Sequence, residues 1–522
     1  MFRKGLIIFF FLCLYNAGVA QQKGIQLPGQ ESDTTAIDFN RRFALVIGNA
    51  KYEKDSLRNP VNDANKVAAL LEKYGFKVML RHNLGRREMN SVINEFGDSI
   101  TARKGVSFFF YSGHGIQYNA QNFLLPLKTS IEKETDIEDE AVKLAKLLDR
   151  MRQTRNGLNV VILDACRNNP FYEDLPSLPK GLTDKETLPG NTSVFFATTP
   201  GNIALDGKGN NSPFTEALTE AVTDSIEFYQ VVRKVVKQVK AKTNPVQQPA
   251  ITGSPEDEFY FTPKRSKPTL HLLSIGISNY NESMYDLRYA RKDAMDITMA
   301  FRRQEGLLYE NINITALTDA AATKVNILEA ISQMKQQVKA GDVIMLYLSG
   351  HIVSGGSTLA IHKNEYGGKT IPLNDSTLQS FLLPADGDFR NVEKTGVNID
   401  NIRSLLADMP CKSVLFIDGS YNAATAQNLS STENGVAVFA GTSPDKLTFT
   451  LESDAFNNGV FTYALIKGIS GGADTDKTGF VDLRSLQEYI RKEVTKLTNN
   501  MQVPTAYFPS GLSNFPISKS LQ

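Results

Sequence analysis

The chain is 522 residues long, carries 57 basic against 56 acidic side chains for a formal net charge of +1, and is 41% hydrophobic and 22% charged. That composition is ordinary for a globular protein, and the length suffices for more than one buried core, so two domains are expected. With no extended basic run and no tryptophan, neither a nucleic-acid groove nor a polybasic membrane patch is indicated, and the expected partners are proteins or peptides.

In chain order, Arg3 and Lys4 precede an apolar run from Leu6 to Leu14, and Gly18-Val19-Ala20 places small residues ahead of a cleavage site after Ala20. Residues 1–20 therefore read as a signal peptide. An uncleaved anchor is the alternative, although the run is short for a membrane span. Residues 21–40 are polar and read as a disordered leader. Cleavage leaves Cys166 and Cys411, too few for a disulfide framework, so an exported protein, secreted or periplasmic, would rest on its cores.

A first strand is predicted over Phe43–Asn49, and Asn62-Asp63-Ala64 opens an amphipathic helix that runs to Tyr74. Phe108 to Gly115 reads FFFYSGHG and Val160 to Pro170 reads VVILDACRNNP. Each is a buried strand that would bring a reactive side chain, His114 or Cys166, out at the carboxyl edge of an open sheet, where such folds place their chemistry. Taken singly, a cysteine after an apolar strand is a small buried hydrophobe, and a histidine between glycines is a loop residue. Together they suggest a Cys-His hydrolase, since an imidazole favours the thiolate and later hands a proton to the leaving amine. Metal ligation is the other use of these residue types. Five histidines and three cysteines without a C-x-x-C or H-x-x-x-H cluster give no zinc site.

The two motifs stand about fifty residues apart, the spacing of the caspase signature. Asp164-Ala165-Cys166-Arg167-Asn168, the first strand and the Asp63 helix start make residues 41–262 similar to the caspase and metacaspase family of cysteine endopeptidases, particularly its bacterial members. The resemblance implies Cys166 as nucleophile and His114 as its proton partner. The backbone N–H groups of Gly115 and Cys166 would most simply hold the oxyanion. Two residues before the nucleophile, caspases carry a glutamine in a pocket for acidic side chains; metacaspases carry an aspartate, matched here by Asp164, and pair it with one that Asp63 matches. Ser112 corresponds to a further pocket residue. Two carboxylates facing one pocket repel unless a cation joins them, so arginine or lysine at P1 is the expected guest. The alternatives are Asp63 as a helix cap, Asp164 as a brace of the strand end, and Arg58 as a pocket cation favouring acidic P1. Arg167-Asn168-Asn169-Pro170 departs from the Cys-His-Ser-Gly with which metacaspases generally continue.

The second half repeats the first. Leu272–Ser278 repeats the first strand, Asp293-Ala294 the helix start, Val343–His351 the histidine strand and Ser413–Asn422 the cysteine strand; AVFAGTSP from Ala437 matches SVFFATTP from Ser193, and GVFTYAL from Gly459 matches SPFTEAL from Ser212. The expected architecture is α/β: two tandem caspase-like domains, 41–262 and 269–522, joined by a linker at 263–268 and in contact with each other. Each would be a mostly parallel sheet with helices on both faces, the helical stretches including Val325 to Val338. In the second copy Ser420 stands in place of Cys166, and Ile352 follows His351 where glycine follows His114. A hydroxyl is far harder to ionise than a thiol, so this second site reads as degenerate, a pseudoprotease that keeps Asp293, Ser349 and Asp418.

No cofactor is identified. Metacaspases often require calcium, but no acidic cluster for it can be traced, so calcium dependence is left unplaced. Asp474 to Asp482 matches part of an EF-hand loop, yet its twelfth position is Ser485, and a turn before a helix is the simpler reading. Residues 167–191 read as a flexible loop after the nucleophile, with Arg167, Lys180 and Lys185 as candidate self-cleavage points. The leading expectation is an exported cysteine endopeptidase; a non-catalytic peptide-binding or regulatory protein, or a two-domain scaffold, are the alternatives.

Overall fold

The computed structural model describes residues 38–101, 105–154, 157–166, 175–179, 181–200, 202, 204–223, 226–262, 267–355, 379–419, 435–443 and 450–521. The expected signal peptide, most of the expected leader, residues 263–266 of the expected linker, Arg167, Lys180 and Ser420 fall outside these residues.

The first lobe runs β1 (Arg42–Gly48), α1 (Pro60–Lys73), β2 (Lys77–His82), α2 (Arg86–Ile100), β3 (Val106–Tyr118), β4 (Gln121–Leu124), α3 (Asp136–Glu140), β5 (Val142–Lys143), α4 (Leu144–Thr154), β6 (Leu158–Cys166), β7 (Thr192–Phe196), α5 (Pro213–Ala221), α6 (Phe228–Lys242) and β8 (Ala250–Thr252). The main sheet is ordered β2-β1-β3-β6-β7-β8 and is parallel except where β8 runs antiparallel to β7. Side chains of a strand alternate between faces, and both faces here are covered. Phe108 and Phe110 pack with Val67, Phe214 and Val232 of α1, α5 and α6, whereas Phe109 and Tyr111 pack with Ile93, Phe96 and Leu147 of α2 and α4.

The second lobe repeats this plan with β9 (Leu270–Gly276), α7 (Ala290–Arg302), β10 (Ile312–Thr318), α8 (Lys324–Gln337), β11 (Val343–Ser349), β12 (Ile352–Ser354), β13 (Ser380–Leu382), α9 (Val392–Thr395), β14 (Val397–Asn398), α10 (Ile399–Ala407), β15 (Lys412–Asp418) and β16 (Val436–Ala440). Its sheet is ordered β10-β9-β11-β15-β16 and ends on the antiparallel strand Thr505–Tyr507. In both lobes the first strand closes on a glycine because the first helix crosses it closely. A Cβ at Gly48 would collide with the Pro60 carbonyl and Ala64, and one at Gly276 with the Ala290 carbonyl and Ala294. The close crossing holds the first helical turn, with Asp63 or Asp293, over the carboxyl edge of the sheet.

The parallel ladder of β3 ends at His114, as expected, but the strand itself continues to Tyr118 and pairs antiparallel with β4, where Ile116 and Phe123 join a small separate core. One expectation is corrected: the segment after Cys166 is not loose throughout. Leu182 is fully buried, and Asn122 of β4 holds its neighbour twice, donating to the Thr183 carbonyl at 2.8 Å and accepting from the Thr183 N–H at 2.7 Å. Lys185 itself is exposed.

The lobes meet along their antiparallel edges. The Gly511 N–H donates to the Gly253 carbonyl at 2.8 Å, Tyr229 of α6 packs within the second lobe's core, and the buried Lys412 ammonium lies against Glu258. Burial pulls Lys412 down to about 8 against the opposing charge of Glu227, whose own carboxyl burial raises to about 7. Among the described residues no helix is long and apolar enough to cross a membrane. In the EF-hand-like stretch, Asp482 accepts from the Ser485 N–H at 2.8 Å as the cap of the helix Leu483–Leu497, and Asp474 accepts from the Gly479 N–H at 3.1 Å. These bonds close a turn before a helix.

Candidate active site

His114 and Cys166 are register partners, the last pair joining β3 to β6. The imidazole is 1% exposed and lies 4.5 Å, centre to centre, from the ring of Tyr52. Its Nε2 is 2.6 Å from the Asp55 carbonyl oxygen. A carbonyl can only accept, so Nε2 carries the proton and Nδ1 presents a lone pair. Nδ1 is buried and has no partner among the described residues. Burial lowers the imidazole from its ordinary value, opposed by the Asp55 contact and by the charges of Asp55 and Asp206, and so favours the neutral ring. The backbone is clamped as well: the His114 N–H donates to the Tyr52 hydroxyl at 3.1 Å, and the Tyr111 hydroxyl donates to the His114 carbonyl at 2.9 Å. A Cβ at Gly113 would come within 2.7 Å of both tyrosine hydroxyls, which is why glycine precedes the histidine. Gly115 is less tightly confined: a Cβ there would lie 3.1 Å from Leu182 and 3.2 Å from Ala165.

Two residues back along each strand, Ser112 and Asp164 are also in register, on the face that α1 covers. Asp63, in the first turn of α1, is fully buried and accepts from the Ser112 hydroxyl at 3.2 Å, the Asn211 amide at 2.9 Å and the Ser212 N–H at 3.0 Å. It does not cap its helix; Asn59 occupies that position. Asp164 accepts from the Ser212 hydroxyl and, at 2.7 Å, from the Thr215 hydroxyl. Asp63, Ser112 and Asp164 thus converge, bridged by Ser212 at the start of α5. Burial, with Asp164 beside it, pushes Asp63 up to about 8, and burial raises Asp164 to about 6 against the hydroxyls it accepts from.

A third carboxylate joins them that the sequence did not single out. Asp206 accepts from the Arg58 N–H at 2.8 Å and the Asn59 N–H at 3.1 Å, and its charge bears on both Asp164 and His114. Arg58 therefore serves through its backbone, while its guanidinium donates to the Lys208 carbonyl at 3.2 Å. The Asp-Gly-Lys-Gly-Asn stretch from Asp206 carries a turn signature, but nothing in it foretells a pocket.

The second lobe reproduces this geometry. His351 Nε2 lies 2.8 Å from the Tyr285 carbonyl, and the His351 N–H donates to the Tyr280 hydroxyl at 3.0 Å. Asp293 accepts from the Gly459 N–H and Asp418 from the Thr462 hydroxyl, each at a place equivalent to its first-lobe counterpart. Burial, with Asp418 near, pushes Asp293 up to about 8, and burial raises Asp418 to about 6. Glu452 takes the part of Asp206, accepting from the Arg288 N–H at 3.1 Å and the Tyr289 N–H at 2.8 Å. No group of metal-ligating side chains occurs among the described residues.

A buried carboxylate pair at the carboxyl edge of an open parallel sheet, beside a histidine held by a backbone carbonyl, defines an α/β protein with this arrangement in both lobes, and in the first lobe a cysteine stands in register with the histidine. The chain belongs to the caspase domain family, which it matches over residues 41–260 and 270–515. It is similar to human mucosa-associated lymphoid tissue lymphoma translocation protein 1, 29% identical over 182 residues, which are 34% of this chain and 21% of that protein. It is 29% identical to the mouse homolog over 167 residues, 32% of this chain and 19% of that protein. It is also similar to mouse caspase-12, 24% identical over 243 residues, 42% of this chain and 57% of that protein. The chain therefore spans only 19–21% of the length of the first two relatives.

Proposed function

We propose that this protein is an exported cysteine endopeptidase that cleaves after arginine or lysine, with catalysis confined to the first lobe. His114 Nδ1 takes the Cys166 thiol proton, and the sulfur attacks the scissile carbonyl carbon. The amide C–N bond then breaks, the leaving amine takes the proton from His114, and the acyl group is left as a thioester. Water, its proton drawn by the same nitrogen, hydrolyses the thioester and restores the thiol. The Asp55 carbonyl keeps the ring in the tautomer this cycle needs. The oxyanion falls to the backbone N–H groups of Gly115 and Cys166.

The observation that carries the reading is the fully buried Asp63 beside Asp164, two residues from the His114–Cys166 register pair, with no cation bound to either among the described residues. Desolvated carboxylates side by side are costly unless a cation enters, and a guanidinium or ammonium at P1 supplies one. The second lobe, with Ser420 for Cys166, is read as a non-catalytic partner. Export rests on the amino-terminal pattern at Arg3, Lys4 and Gly18-Val19-Ala20. The test is hydrolysis of otherwise identical reporter peptides with Arg, Lys or Asp at P1, with and without calcium. Cleavage preferring aspartate, or none by a protein whose Cys166 is reactive to thiol reagents, refutes it.

A further inference from the structure

Beside the backbone of Cys166 lies a buried polar group that the proposed reaction leaves idle. Thr198 stands two residues beyond the end of β7; its side chain is fully buried and its hydroxyl has no partner among the described residues. A buried donor or acceptor left unpaired costs about 1–3 kcal/mol, and native proteins leave few of them. The position is held by the residue before it. The Ala197 N–H donates to the Leu163 carbonyl of β6 at 3.0 Å, and the Ala197 carbonyl accepts from the buried Gln247 amide at 2.9 Å. Leu163 is paired with Phe196, so two residues further along both strands Thr198 comes level with Ala165, which precedes Cys166.

The second lobe shows what this hydroxyl reaches. Thr442 holds the matching place: Ile417 pairs with Ala440, the Gly441 N–H donates to the Ile417 carbonyl at 2.8 Å, and the Gly441 carbonyl accepts from the Gln502 amide at 2.9 Å. Thr442 is buried as well, and its hydroxyl donates to the Gly419 carbonyl at 3.5 Å. Gly419 matches Ala165, so the acceptor in the first lobe is the Ala165 carbonyl. Strand geometry puts that oxygen on the right side. Along a parallel strand successive carbonyls point alternately to the two neighbouring strands, so the Ala165 carbonyl, like that of Leu163, faces the β7 side. The carbonyl and the N–H of one trans peptide point in opposite directions. The Cys166 N–H therefore faces β3, the strand that carries His114 and Gly115.

We propose that Thr198 is a positioning residue for the oxyanion site: its hydroxyl donates to the Ala165 carbonyl and so aims the Cys166 N–H at the oxygen of the substrate. This rests on the reading of the first lobe as a cysteine endopeptidase. Hydrogen bonds that serve a reaction are often long or unmade without substrate and tighten once it is bound. The contact closes as negative charge develops on the substrate oxygen, because a peptide whose N–H donates more strongly accepts more strongly at its carbonyl. Thr198 touches neither substrate nor sulfur; it acts through the Ala165–Cys166 peptide alone.

The test compares Thr198→Val, Thr198→Ser and Thr442→Val in the full-length protein, using a P1-arginine reporter. Loss of an oxyanion donor outright costs a factor of about 10²–10³ in kcat, and a donor left in place but misaimed costs less. Thr198→Val should therefore lower kcat about tenfold with KM within about twofold of wild type, while Thr198→Ser, which keeps the hydroxyl, and Thr442→Val should turn over as wild type does. Alkylation of Cys166 by iodoacetamide should keep its wild-type rate in Thr198→Val, since the thiolate depends on His114 and not on the oxyanion donors. Wild-type kcat in Thr198→Val, an equal loss in Thr198→Ser or Thr442→Val, a loss carried by KM, or slowed alkylation overturns the proposal. A wild-type protein that cleaves no reporter refutes the endopeptidase reading instead, and the contact is then read from the Cys166 amide resonance of protein labelled with nitrogen-15 at cysteine, assigned by its absence from Cys166→Ala. Thr198→Val should move that resonance and Thr198→Ser should return it; a resonance that Thr198→Val leaves in place also overturns the proposal.

Discussion

Binding of an arginine side chain in the first-lobe pocket should release a proton. In the empty pocket burial and the neighbouring Asp164 push Asp63 up to about 8, and burial raises Asp164 to about 6, so near neutral pH the pair retains a proton. A guanidinium between the carboxylates favours both in the ionised form, so the proton must leave as the ligand enters. Below the raised value, each pH unit then weakens binding by up to a factor of about ten, or about 1.4 kcal/mol, for one proton released. Affinity therefore climbs as pH rises and levels off once Asp63 is ionised in the free protein, near a pH of about 8. The measurement is calorimetric titration of Cys166→Ala protein with an uncleaved P1-arginine peptide across this range, in buffers of different ionisation enthalpy so that protons are counted. A P1-citrulline peptide, of the same shape without the charge, is the control and should show no such slope. If the arginine peptide binds equally at pH 6 and 8, or if citrulline follows the same curve, the carboxylate pair is not the seat of the cation.

Cys166→Ala and His114→Ala should each abolish reporter hydrolysis while leaving the far-ultraviolet dichroism unchanged, and the double substitution should lose no more than either alone, because the two act as one unit. Asp164→Asn should reduce the preference for arginine over neutral P1 by roughly 2 kcal/mol, read as a ratio of kcat/KM values, and Asp206→Asn by less because it is only half-buried. Asp63 is more basic folded than unfolded, so its contribution to stability is full below the unfolded carboxyl value and is lost as pH rises through about 8. Asp63→Asn should therefore melt higher than wild type in thermal scans at alkaline pH, with the gap closing towards pH 4, while arginine-peptide affinity falls. Ser420→Ala should leave turnover of the full-length protein unchanged in the same hydrolysis assay.

The sheet was legible because its strands are apolar on both faces and too short for buried helices, and the repeat of motifs in constant order disclosed the second lobe before any contact was known. The grouping of Asp63, Ser112 and Asp164 was expected only from the resemblance to metacaspases, and the structure supplies the physical basis of their convergence: Ser112 and Asp164 point to the same face of neighbouring strands, and α1 crosses that face. Asp206 was not expected, because it reaches Arg58 and Asn59 from a turn 147–148 residues away, through backbone N–H groups that carry no sequence signal. The Asp55 carbonyl that sets the His114 tautomer is invisible for the same reason. The seam was hidden differently. Glu227, Glu258 and Lys412 lie in separate stretches of ordinary composition, and only the docking of the two lobes makes them a buried cluster.

Comparing the lobes separates what the scaffold imposes from what the nucleophile requires. Gly48 and Gly276 admit the first helix in the same way, Asp63 and Asp293 end over the same sheet edge, and both histidines give Nε2 to a backbone carbonyl while a tyrosine hydroxyl holds their N–H. The raised carboxylate pair recurs too, although Gly459 stands where Ser212 bridges the first pair, so Asp418 keeps the Thr462 hydroxyl but has no counterpart of the Ser212 hydroxyl. All of this is assembled in a lobe whose sequence has Ser420 where the first has Cys166. The acidic pocket and the oriented histidine are therefore consequences of the fold, and possessing them does not establish turnover. On the proposed reading, what would separate an enzyme from a binding protein is a single ionisable atom, the sulfur of Cys166, since a thiol ionises far more readily than the serine hydroxyl at the matching position. The proposal is accordingly decided by substitutions at Cys166 and His114, which should abolish turnover, while those at Asp63, Asp164 and Asp206 should change only which side chain is held.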